Sequence, residues 1–354
     1  FNSAAWMMGA AGLGVVLLGN LCLEPLALLL GAAPEVLPQA MAYLWYIVTF
    51  APFQLFSFLL GGMARNDGRP KLAMTAMIAG AASNIVLDYV FMYPLNLGIR
   101  GAALATALGP IFSVLILLPH FLLRRGTLYF QAVRPRLAEG RSILVCGAPS
   151  FLMEFSIGIV TFLYNVAVSR HGYGELGLAA YLIIGYLMLI LLTLFLGMAE
   201  GLQPVFSRFM ATGEEKRNLA MRRFSTKVFL GVGVISCLLI FLGSRWFFLL
   251  FAPEDPELTA FAASRSIPYF CGFFLTGFNI LMISFLQATR QTGRAMVLSL
   301  LRSVILPPAL LLLLPALLGR EGVWVCQSAA DALTALFAIC FLAFPARSCY
   351  SKLG

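Results

Sequence analysis

Long apolar runs separated by short polar and basic stretches set the pattern of this chain. A helix needs about 20 residues to cross roughly 30 Å of hydrocarbon. Ten runs qualify: residues 5–30, 37–62, 72–94, 99–123, 142–168, 175–206, 228–250, 260–288, 295–315 and 322–345. Several contain proline (Pro52, Pro110, Pro149, Pro204, Pro268, Pro307 and Pro308). Proline breaks helices in water but is tolerated as a bend where membrane helices pack on one another. The pattern predicts an all-α integral membrane protein.

Composition supports this. Of 354 residues, 61% are hydrophobic and 11% charged, with a mean hydropathy of +0.92, whereas a soluble domain is about a quarter charged. The net charge of +9 is distributed by loop. Lys and Arg gather at 65–71, 124–141, 208–227, 290–294 and 347–352, and the intervening loops carry only Arg100, Arg170, Arg245, Arg265 and Arg320. That alternation fits ten spans and predicts that the basic loops and the C-terminus are cytoplasmic, in a bacterial inner membrane. No basic stretch interleaved with aromatics lies outside the spans, so nucleic acid is not an expected partner. The seven cysteines form no C-x-x-C pair, and there are two histidines. Neither a disulfide framework nor a metal centre is expected.

The chain also repeats itself. "GGMARNDGR" (61–69) pairs with "FLQATRQTGR" (285–294), and "LGIRGAALA" (97–105) with "LGREGVWVC" (318–326). Gly68 and Gly293 are 225 residues apart, and Gly98 and Gly319 are 221 apart. Matches at nearly one offset indicate a duplication, and shared loop polarity makes the halves parallel repeats. The expectation is two six-helix lobes, with ten of twelve helices present. Helices 3–6 fall in 1–123, an inter-lobe loop in 124–141, helices 7–12 in 142–346 and a tail in 347–354. Two further helices are expected before Phe1.

Ionisable groups within lipid are costly and mark candidate sites. "SNIVLDYVF" places Asn84 and Asp88 four residues apart, on one helix face, and Thr106 can present a hydroxyl from the next helix. A carboxylate, an amide oxygen and a hydroxyl suit a proton or a hard cation such as Na⁺. The same residues would equally serve a structural polar network. In the second half, Glu154 stands in an apolar setting that suits reversible protonation or a lipophilic cation, followed by Tyr164 and Asn165. The alternative for Glu154 is a solvated interfacial position. Gln203, before Pro204, marks a gate or a kink. Arg302 either snorkels to the cytoplasmic side or pairs across helices, with Asp331 as a candidate partner.

Enzyme signatures are absent. There is no G-x-x-x-x-G-K-[ST] loop for ATP, no H-E-x-x-H and no G-x-S-x-G, and the loops are too short for a soluble catalytic domain. No cofactor is expected.

The run "MARNDGRPKLAMTAMIAGAASNIVLDYVFMYPLNLGIRGAALATALG" (63–109) resembles the multidrug and toxic compound extrusion (MATE) family. So do "GAPSFLMEFSIGIVTFLYN" (147–165), "GMAEGLQPVFSRFMATGEEKR" (197–217) and "SLLRSVILPPALLLLLPALLGREGVW" (299–324). The resemblance implies two lobes, alternating access, and Na⁺ or H⁺ entering as an amphipathic, often cationic, molecule leaves. It implies that Asn84, Asp88 and Thr106 match an N-lobe cation site in type and spacing, whose further first-helix Asp would lie before Phe1. It also matches Glu154 to the family's seventh-helix Glu. The companion tenth-helix Asp has no counterpart, because 266–288 contains no acid. The expected partners are small molecules and membrane lipids, and the expected state is a monomer. A flippase for lipid-linked oligosaccharides would want several basic residues at depth, where only Arg302 is available. A non-transporting scaffold or receptor would not need the buried carboxylates and the duplication.

Overall fold

The computed structural model describes residues 1–29, 35–131 and 137–343. Arg134, Arg136 and the expected tail 347–354 lie outside the described residues. Among the described residues every regular element is helical and no strand occurs. The chain divides into two compact units, Phe1–Leu144 and Val145–Gly354.

The first unit holds α1 (Asn2–Leu21), α2 (Leu23–Leu29), α3 (Leu37–Asn66), α4 (Pro70–Met92) and α5 (Gly98–Leu122). The run expected over 5–30 breaks at Cys22, just before Glu24 and Pro25. Proline is accepted in the first turn of α4, where its missing N–H would find no helical partner anyway.

The boundary between the units falls within α6 (Leu137–Arg170). The second unit continues with α7 (Gly174–Ala211), α8 (Glu215–Phe251), α9 (Pro256–Phe270), α10 (Phe273–Ala288), α11 (Thr292–Leu300), α12 (Leu306–Leu318) and α13 (Gly322–Ala343). Its core is centred on α10, where thirteen of sixteen residues are buried. A helix apolar on every side belongs inside the bundle, and α7, α8 and α13 pack around it.

Two expected spans contain breaks. The run 260–288 bends by 47° between α9 and α10. The side chain of Ser328 fills this break: it accepts from the Gly272 N–H at 2.9 Å and donates to the Tyr269 carbonyl at 2.8 Å. The run 295–315 contains a π-helical turn, Leu301–Ile305. Pro307 and Pro308 follow it, and neither can donate to the carbonyl four residues back. The ladder relaxes there into the wider turn, a feature frequent at functional sites.

Among the described residues eight helical stretches are long and apolar enough to cross a membrane, or nine with the bent pair counted as one span. One of these, Thr292–Leu342, reverses at Gly319, whose φ of 68° favours glycine, so that α12 and α13 pack against each other. Dividing it there gives the ten crossings expected from the apolar runs. The large exposed side chains, Leu17, Leu18, Phe58, Ile85, Leu242 and Leu312 among them, then face lipid. The protein is an integral membrane protein.

Candidate functional site

In the first unit the candidate residues are positioned by a close crossing of α4 and α5. The crossing uses small residues, Ala76 and Gly80 on one helix and Gly109 and Ser113 on the other. A Cβ added to Gly80 would stand 2.9 Å from the Gly109 carbonyl oxygen, and one on Gly109 would stand 3.0 Å from that of Gly80. The Ser113 hydroxyl donates across the crossing to the Ala76 carbonyl at 2.9 Å. Close backbone approach and interhelical hydrogen bonds replace the hydrophobic driving force that lipid does not supply.

One turn further along α4, the crossing brings Asn84 to Thr106. The Asn84 amide donates to the Thr106 hydroxyl at 3.5 Å, a long bond that leaves the Asn84 amide oxygen uncommitted. Asp88 follows on the same face, half-buried. Its Oδ1 is enclosed and finds no hydrogen-bond partner among the described residues. An orphaned buried oxygen costs at least about 1–3 kcal/mol and calls for an explanation. Oxygen donors of three kinds, one of them an unsatisfied carboxylate, suit a hard cation or a proton. Thr106 is exposed at the edge of this group.

The second unit distributes its candidates differently. Glu154 is exposed, on an open apolar stretch of α6 with Phe155, Gly158 and Phe162. Tyr164 is buried and stacked on Tyr181, with ring centroids 5.1 Å apart, while Asn165 beside it is exposed. The structure does not bring Glu154, Tyr164 and Asn165 together. Gln203 is half-buried next to Pro204, and α7 continues past both to Ala211.

Arg302 and Asp331 do meet. Arg302, in the π turn, places Nε 3.1 Å from Asp331 Oδ1, with both side chains buried. Asp331 is enclosed by further donors: the Thr276 hydroxyl at 2.5 Å and the Gln327 amide at 3.1 Å reach Oδ2. The Asn279 amide donates to the Asp331 carbonyl at 2.9 Å and approaches Oδ1 at 3.4 Å. Sequence reading missed Thr276, Asn279 and Gln327. Their spacing held a signal, since Thr276 and Asn279 are three apart within an apolar helix and Gln327 and Asp331 four apart on another.

Another group of polar residues not expected from the sequence closes one end of the first unit. Asp67 caps α3, 2.8 Å from His120 Nε2 on α5. Its other oxygen accepts from the Thr127 N–H at 2.9 Å and from the Thr127 hydroxyl. Burial pushes the Asp67 carboxyl up, but bonds from the Thr127 hydroxyl, His120 and the backbone N–H groups of Thr127 and Leu128 outweigh it. Together they hold the carboxyl down at about 2. The linker leaving α5 is thereby fastened to the α3–α4 turn.

The sequence matches the MatE family over residues 1–90 and 149–311. It is 28% identical to the multidrug export protein MepA of Staphylococcus saprophyticus over 93% of this chain and 72% of that protein. Among solved structures, it superposes on a MATE transporter in complex with MaL6 with a TM-score of 0.87 and 22% identity, over 96% of this chain and 78% of that one. It superposes equally well, TM-score 0.89 and 22% identity, on a MOP superfamily transporter from Pyrococcus furiosus, over 96% and 77% of the two chains. The reverse polarity of that protein's binding pocket suggests a different function for it.

Proposed function

This chain belongs to the MatE family of transporters, and from that premise we propose that it is a secondary active antiporter exporting amphipathic, often cationic, small molecules in exchange for Na⁺ or H⁺. The observation that carries this reading is the Asp88 Oδ1, enclosed without a partner beside Asn84 and one turn from the Asn84–Thr106 contact. A carboxylate held there unsatisfied gains most from binding a proton or a small hard cation. If the ion and the exported molecule favour opposite states of the carrier, binding of each weakens the other by the same factor. The duplication in sequence supports two lobes, helices within 1–123 and within 142–346, that alternate access as parallel-repeat carriers do. The relatives named as multidrug export proteins support a broad set of small molecules. The basic loops support a plasma-membrane carrier with its C-terminus inside.

The test uses Asp88→Asn in the full-length protein, reconstituted in vesicles. Ethidium export should lose its dependence on an imposed Na⁺ or H⁺ gradient. Export that keeps the same gradient dependence overturns the assignment.

A further inference from the structure

A small cavity of about 90 Å³ lies inside the second unit. It is walled by α6 (Ser156 to Thr161), α7 (Tyr181 to Leu192), Tyr269, the π turn and Gln327. Among the described residues that line it, Arg302 is the one charged side chain. Asp331 engages Arg302 at Nε, and no hydrogen bond to another residue engages the terminal amino groups of the guanidinium among the described residues. The Arg302 side chain is 9% exposed and lines the cavity. Beside it Ser303, 2% exposed, has an enclosed hydroxyl with no hydrogen-bond partner among the described residues.

These features have one common use. Asp331 has its oxygens occupied by Thr276, Gln327, Asn279 and Arg302, so it fixes the guanidinium and does not compete for its outer face. A guanidinium held at Nε offers its two terminal amino groups in the fork geometry that suits a carboxylate. Tyr181 and Tyr269, edge to face at 6.4 Å between centroids, and Ile157, Val160, Met188 and Leu192 supply aromatic and apolar walls. Of the cavity's lining residues, Thr161 and Leu189 are exposed. Its volume admits a carboxylate and the atoms that bear it, not a whole amphipathic molecule.

We propose that this cavity is a subsite for the carboxylate end of an aromatic or apolar transported molecule, with Arg302 as the recognition residue and Asp331 as the residue that positions it. The inference rests on the transporter reading above and deepens it: among amphipathic substrates it favours those that carry a carboxylate, zwitterions and organic acids.

The test is equilibrium binding to the full-length protein without any ion gradient, using dansylglycine and its methyl ester as fluorescent probes. The wild-type protein should bind the acid about tenfold more tightly than the ester, the ratio a charge-assisted hydrogen bond gives. The double variant R302Q/D331N removes both charges and keeps hydrogen-bonding groups in place, so no charge is left buried alone. It should bind acid and ester equally. Equal binding of the two probes by the wild type overturns the proposal, as does an undiminished preference for the acid in R302Q/D331N. Asp88→Asn should keep the wild-type preference for the acid. A retained preference alongside gradient-dependent export by that variant would sink the antiport reading and leave this one standing.

Discussion

Two carboxylates with enclosed oxygens, Asp88 in the first unit and Asp331 in the second, are treated in opposite ways. Asp88 in the first unit has an enclosed oxygen with no hydrogen-bond partner among the described residues. Asp331 in the second accepts from an arginine, a threonine and a glutamine, with an asparagine close by. A saturated carboxylate is a fixture, because any change of partner breaks several bonds at once in a medium that offers no replacement. An unsatisfied one is poised to take up a cation. Burial depth alone therefore does not separate the two acids; the count of donors already in place does.

The sharpest way to break this contrast is to remove each acid in turn. Asp331→Ala leaves Arg302 buried without its partner and should destabilise the protein by about 3–5 kcal/mol, seen as a large fall in Tm of the purified protein or as failure to express. Asp88→Asn removes an unsatisfied charge and should change stability by no more than about 1 kcal/mol. Equal losses for the two variants would erase the distinction.

The crossing beneath the first site is the next test. Gly80→Val drives side-chain atoms against the Gly109 backbone and should cost about 1–3 kcal/mol while separating Asn84 from Thr106. Gly14→Ala, in open space on α1, should stay within about 0.5 kcal/mol of the parent. A Gly80→Val protein as stable and as well coupled as the parent would show that the crossing does not position the site.

At the end of the first unit, the bonds to Asp67 predict a pH effect. Its carboxyl is held at about 2 when folded, against an ordinary value of 3.8. Its contribution is therefore complete above pH about 4 and is lost as the pH falls towards 2. Asp67→Asn should lower Tm at neutral pH, and the gap from the wild type should close over that acid window. A gap constant down to pH 2 would contradict the assignment. The smallest expected change is in Thr106→Ala, which removes one neutral oxygen from the edge of the site and should weaken the coupling cation about tenfold or less, read from the cation concentration giving half-maximal export.

Much of this fold was legible because bilayer thickness dictates the length of an apolar run. The ten runs correspond to the observed helical crossings. Hydropathy does not register where helices end outside lipid, so the extension of α7 to Ala211 and the start of α8 at Glu215 went unread. Nor does it register the break before α10 or the π turn, which depend on Ser328 and on Pro307 and Pro308. Asn84 and Asp88 were readable as a pair because they are neighbours on one helix. Their closeness to Thr106 depends on the Gly80–Gly109 approach. The residues around Asp331 come from three separate segments, and only folding brings Thr276, Asn279, Arg302 and Gln327 together. The bond between Asp67 and His120, 53 residues apart, left no local signal either.

The most direct test of the contrast is cation binding to the purified full-length protein, measured with ²²Na⁺ and, in parallel, by proton uptake. The account predicts a saturable site in the wild type that is lost in Asp88→Asn and retained in R302Q/D331N. Binding that survives in Asp88→Asn and disappears in R302Q/D331N would contradict it.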